Sequence, residues 1–230
     1  MPISRKEFVT AAAVGATLAA AGTATNARAA SGLHFHVQTT SEYDRAAMLA
    51  VLETKKTNKQ VFQSVTPLTI AGAASLYLHM QNSLNAYEFS YGMGGGSLAV
   101  LGVLLGPSIV YALDDATWKK YAFGATFNLD ATNTYYTAAT LKRTASPDDP
   151  NGIYQDWSAQ AILKRGGAFM VCHNATTAIA ALLSSKAGTT PQAALAEFKK
   201  HLLPGFQMVP SGVAAVQLAA QHGWHNFPVI

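Results

Sequence analysis

Apolar and polar positions after residue 32 follow two rhythms in turn. Leu33-His34-Phe35-His36-Val37-Gln38 changes side at every residue, the period of a strand. Ser41 then precedes a stretch from Glu42 to about Lys59 that puts Ala46, Leu49, Val51 and Leu52 on the inner side of a helix. A second helical stretch covers about Leu68 to Leu84. Leu98 to Leu105 is apolar almost throughout, which predicts a central strand covered on both faces. A helix is expected from Pro107 to Tyr121, with Asp115 and Lys119 one turn apart. Residues 123–150 are rich in turn formers and predict an irregular insertion with room for a short hairpin. Helix returns from Gly152 to Lys164, and Gly166-Gly167 turns the chain into a strand from Ala168 to Cys172. Helices at Asn174–Ser184 and Pro191–His201, a strand at Phe206–Val209, a helix at Ser211–His222 and an edge strand at Phe227–Ile230 complete the pattern. No segment repeats. Strands alternating with helices predict a three-layer α/β domain over residues 31–230, with a mostly parallel sheet and helices on both faces.

The first 29 residues read as an export signal. Arg5-Lys6 is a basic start, Phe8 to Ala21 carries no charge, and Ala27-Arg28-Ala29 has the small-x-small form of a cleavage site. Ser4-Arg5-Lys6-Glu7-Phe8-Val9 resembles the twin-arginine export motif with lysine in the second place, so either the Tat or the Sec route serves. The apolar run is shorter than the roughly 20 residues that span a bilayer. Leu98 to Leu113 is interrupted by Gly106-Pro107-Ser108, the mark of a buried strand entering a helix and not of a membrane span. The expected mature protein is periplasmic or secreted, with no stable membrane insertion after cleavage.

Composition narrows the function. Half the residues are hydrophobic and 12% are charged, which excludes a disordered chain. The net charge of +4 comes from scattered basic pairs such as Lys55-Lys56 and Lys199-Lys200, read as solvated helix ends, so no nucleic-acid partner is expected. A single cysteine, Cys172, rules out an internal disulfide and a cysteine-based zinc finger. Gly92-Met93-Gly94-Gly95-Gly96-Ser97 enters a strand where a dinucleotide loop should leave one, and Ser97 replaces the third glycine; it reads as a flexible turn. No cofactor motif, Ser-His-Asp set or His-Glu-x-x-His helix is present. His34 and His36 share a strand face at a spacing that can hold a metal, or serve as polar edge residues.

Cys172 is the informative residue. It ends a strand just before a helix that begins at Asn174, where unpaired N–H groups and the helix dipole favour a thiolate. The alternative is a buried, inert cysteine. Gly106 and Ser108 close the central strand, and Ser211 and Gly212 follow the strand at Val209, so these turns could share a crevice with Cys172 and Asn174 or merely cap their helices. His173 is the neighbouring candidate partner of the thiol, with His79 and His225 behind it.

The segment from Gly167 to Ala175, then Leu202 to Ala214 with its Pro210-Ser211-Gly212 turn, then Gln221-His222-Gly223-Trp224, resembles the DsrE/DsrF-like family of sulfur-relay proteins. The stretches Leu105 to Ser108 and Ala112 to Tyr121 resemble exported members with a Tat-like leader, and the resemblance extends over about residues 97–227. It implies a Rossmann-like, flavodoxin-like domain that forms homo- or hetero-oligomers. It also implies a cysteine at position 172 that takes up sulfane sulfur as a persulfide and passes it to an acceptor protein or small thiol. Sulfur carriage by Cys172 is therefore the leading expectation. A small-ligand or metal-binding module and an oligomeric structural protein are the alternatives.

Protein recovered from an exporting cell should begin at Ala30 by N-terminal sequencing, and a detergent-requiring form retaining residues 1–29 would contradict the cleavage.

Overall fold

The computed structural model describes residues 35–229. At its centre lies the apolar run identified in the sequence: β4 (Leu98–Leu104) is buried at every position, between β1 (Asn58–Ser64) and β5 (Ala168–Cys172), both parallel to it. The edges are β6 (Phe206–Val209), beside β5, and β7 (His225–Val229), beside β1. The sheet is thus all parallel in the order β6-β5-β4-β1-β7, and β2 (Thr69–Ile70) and β3 (Ala73–Ala74) form a separate small hairpin.

Side-chain alternation divides this sheet into two apolar faces. Phe62, Val100, Leu104, Phe169 and Val171 meet α2 (Ser75–Asn85), α6 (His173–Leu183) and α7 (Pro191–Lys200) on one face. Val61, Leu101, Val103, Met170, Cys172 and Val209 meet α1 (Arg45–Leu52) and α8 (Gly212–Gln221) on the other. The result is the three-layer, Rossmann-like α/β architecture expected from the sequence. Crossovers of one handedness that step in one direction leave their helices on one face, and the step back from β6 across the sheet to β7 puts α8 on the opposite face.

Several local expectations change. Residues 35–38 form no strand, and Leu33 and His34 lie outside the described residues. Phe35 and Val37 are exposed, so alternation there has no apolar face to bury. The first helix ends at Leu52, and Asn58–Ser64 is the first strand, because Val61 and Phe62 bury opposite sides of the chain, which a helix stripe cannot do. The hairpin β2–β3 occupies the first part of the expected helix at 68–84. Between Pro107 and Tyr121 the chain forms a 3₁₀ segment, Gly106–Ala112, and restarts as α3 (Asp115–Lys120), capped by Asp114. Asp115 binds the backbone N–H of Asn133, not Lys119. After α4 (Phe123–Phe127), residues 128–152 contain neither helix nor strand. A 3₁₀ turn, Ile153–Gln155, then precedes α5 (Ala159–Lys164), so the helix expected from Gly152 starts only where Ser158 caps it. Among the described residues no helix is long and apolar enough to cross a membrane.

Side chains fasten the irregular segment. Asn133 donates to the carbonyls of Tyr111 and Leu113 at 3.0 and 2.8 Å, and the Trp118 indole N–H donates to Asp130 O. Arg165, with a side chain only 2% exposed, donates to Gln81 Oε1, Asn85 Oδ1 and Glu88 Oε2, and lies 5.0 Å over the Tyr154 ring. Gln81 and Asn85 in turn donate to the carbonyls of Ile153, Tyr154 and Asp156. Removing one member of a buried ion pair strands the other in a poorly solvated place. Arg165→Ala should therefore lower the unfolding free energy by about 3 kcal/mol in urea denaturation, and a loss within error of zero would show that the network contributes nothing.

Candidate functional site

Helices leave β5 and β6 toward opposite faces of the sheet, α6 to one side and α8 to the other. Such a parting of adjacent crossovers marks the switch point of an open parallel sheet, the place at the carboxyl ends of the strands where ligands gather in such folds. Cys172, His173 and Asn174 stand on the β5 side of this point, and Pro210, Ser211 and Gly212 on the β6 side, with Cys172 in register with Val209. The topology therefore sets Cys172 beside the Ser211-Gly212 turn.

Cys172 is the N-cap of α6, and its Sγ accepts the backbone N–H of Ala175 at 3.4 Å. The hydroxyl of Thr176 donates to the Cys172 carbonyl at 2.9 Å, which holds the turn on its other side. The thiol therefore faces amide donors. It is also covered: Cys172 is only 5% exposed and packs in the α1/α8 layer. Gly212 accounts for the tight cover, since a Cβ there would lie 2.1 Å from Leu105 Cδ2 and 3.0 Å from Cys172 Cβ. Glycine at the start of α8 lets that helix close directly over the strand ends. Ser211 caps α8 by accepting the Ala214 N–H.

Gly106 and Ser108 serve the neighbouring turn. Gly106 has φ +47°, and Ser108 Oγ has the carbonyls of Ser64 and Leu105 at 2.5 and 2.7 Å to donate to, while it accepts the Leu105 N–H. Ser108 is completely buried, so its hydroxyl stitches the end of β4 to the end of β1 and offers nothing to a ligand.

His173 is 1% exposed, and neither ring nitrogen has a hydrogen-bond partner. Burial first, then the Lys199 ammonium, pushes its pKa below the ordinary 6.5. The ring is thus held neutral on the Lys199 side of the helix start. Lys199 is the residue that reading the sequence missed, because the pair Lys199-Lys200 reads as a solvated helix end. The packing of α7 against α6 brings it to His173, and the short loop joining the two helices was the available signal.

The remaining candidates lie elsewhere. His36 is exposed and pairs with Glu42 at 2.6 Å, His34 is outside the described residues, and among the described residues no three of His, Cys, Asp or Glu gather to hold a metal. His79 and His225 are at the β7 side of the sheet, His79 against the Phe227 ring and His225 on β7 itself. No family model matches the chain, and neither a curated protein nor a solved structure matches it.

The neutral histidine sets a pH dependence. Its folded pKa lies below the unfolded value, so the unfolded chain binds more protons and stability falls as pH drops from about 6.5 toward the folded pKa. His173→Gln should flatten the fall in urea midpoint between about pH 6.5 and 5, while equal slopes for the two proteins would show that the ring is not held neutral.

Proposed function

We propose that the protein is an exported, DsrE-like thiol protein in which Cys172 carries sulfane sulfur. The observation that carries the reading is the position of Cys172 Sγ, an N-cap acceptor for Ala175 N–H at the point where the β5 and β6 crossovers part. The sequence resemblance around Cys172 and Ser211-Gly212 supports the same conclusion. In the reaction, the Cys172 thiolate attacks the outer sulfur of a hydropersulfide, R–S–SH. The new S–S bond gives a Cys172 persulfide, the old one breaks, and the electron pair leaves with R–S⁻. Transfer to an acceptor thiolate is the same exchange in reverse sense, with Cys172 as leaving group. The amides that open α6 stabilise the negative sulfur in both directions. Donor and acceptor are proteins or small thiols, and the working form is a homo-oligomer in the periplasm or outside the cell.

The burial of the sulfur favours a second reading, a ligand-binding module whose cysteine only packs. The two separate on one measurement. Exposure of the native protein to polysulfide should add one sulfur to its intact mass, reversed by dithiothreitol and absent in Cys172→Ala. A thiol that stays unmodified in the native state and reacts only in urea would favour the binding module.

A further inference from the structure

We propose that the cavity between the β2–β3 hairpin and the 134–158 loop binds a small organic cation, held by the Asp156 carboxylate and the Trp157 indole. It shares no lining residue with the Cys172 site, and its occupancy is independent of sulfur chemistry. Its volume is about 330 Å³, the size of a small-molecule pocket.

Asp156 lines this cavity and is 7% exposed. Its Oδ1 accepts the N–H and the hydroxyl of Ser158 at 3.1 and 2.5 Å, and its Oδ2 accepts the Thr140 N–H at 2.9 Å. All three donors are neutral. The cation Arg165 donates to Gln81, Asn85 and Glu88, and among the described residues no Lys, Arg or His pairs with Asp156. A carboxylate withdrawn from water and faced only by dipoles lacks a counter-charge, which a cationic ligand supplies.

The aromatic wall points the same way. Trp118 and Trp224 are buried core residues whose indole N–H groups donate to Asp130 O and Leu52 O. Trp157 differs: it is half-buried and lines the cavity, and its N–H meets no acceptor among the described residues. The face of an indole attracts an ammonium, most strongly where water is partly excluded. Tyr135, buried against Tyr111, forms part of the lining. The rim holds strain, since Ala71 sits at φ +50° in the hairpin turn, a conformation that costs a non-glycine residue energy and persists where surroundings impose it. An anionic ligand is opposed by Asp156, and a neutral sugar leaves its charge unanswered.

Calorimetric titration of the full chain with choline, with its uncharged isostere 3,3-dimethyl-1-butanol and with glucose tests the assignment. Choline should bind saturably and the isostere at least about tenfold more weakly, with glucose inactive. Trp157→Leu and Asp156→Asn should each weaken choline about tenfold, whereas Trp157→Phe keeps most of the affinity and abolishes the change in tryptophan fluorescence. Because Asp156→Asn disturbs the bonds to Ser158 and Thr140, thermal melts accompany it, and the half-exposed Trp157→Leu carries the test if that variant unfolds. Absence of choline binding, equal binding of the isostere or of glucose, or indifference to Trp157→Leu overturns the proposal.

Discussion

A strand that is apolar on both sides has to be covered on both sides, and β4 imposes that condition on the whole fold. Three successive crossovers from β1 through β4 and β5 to β6 cover one face only. The second face is closed by α1 and by the return crossover through α8, which runs back across the sheet to place β7 beside β1. That reversal parts the helices after β5 and β6. The parting of crossovers at Cys172 is therefore a consequence of covering β4, with no extra element devoted to making it.

At Cys172, two demands oppose each other. Capping α6 calls for an acceptor at position 172, which the sulfur supplies to the Ala175 N–H. Covering the strand ends calls for α8 to approach closely, which Gly212 permits and which leaves the sulfur little exposed. On the neighbouring residue, burial and Lys199 of α7 hold the His173 ring neutral, and it has no hydrogen-bond partner.

The segment from 128 to 158 obeys a different rule. Without strand or helix ladders over most of its length, its carbonyls accept from Gln81, Asn85 and Trp118, Asn133 donates out of it to the carbonyls of Tyr111 and Leu113, and Arg165 anchors Gln81 and Asn85. Polar side chains replace secondary structure here. The cavity beside Trp157 lies between this loop and the β2–β3 hairpin.

The sequence alone determined the elements whose apolar pattern is local and complete. The runs Leu98–Leu104 and Ala168–Cys172, with Gly166-Gly167 between helix and strand, and the capped helices starting after Cys172, Thr190 and Ser211, were legible because burial on both faces and capping chemistry each leave marks within a few residues. The juxtaposition of Cys172 with Ser211-Gly212 was legible in part, since both close strands of one parallel sheet. Tertiary structure decided the rest. β1 has only Val61 and Phe62 as a strong apolar centre, so its place beside β4 depends on pairing across 40 residues of chain. Whether Ser108 lines a pocket or ties two strands depended on where the Ser64 carbonyl lies. Lys199 beside His173, the missing counter-charge of Asp156 and the cover of Gly212 over the thiol arise from contacts between distant segments, and no local pattern of polar and apolar residues encodes a distance between them.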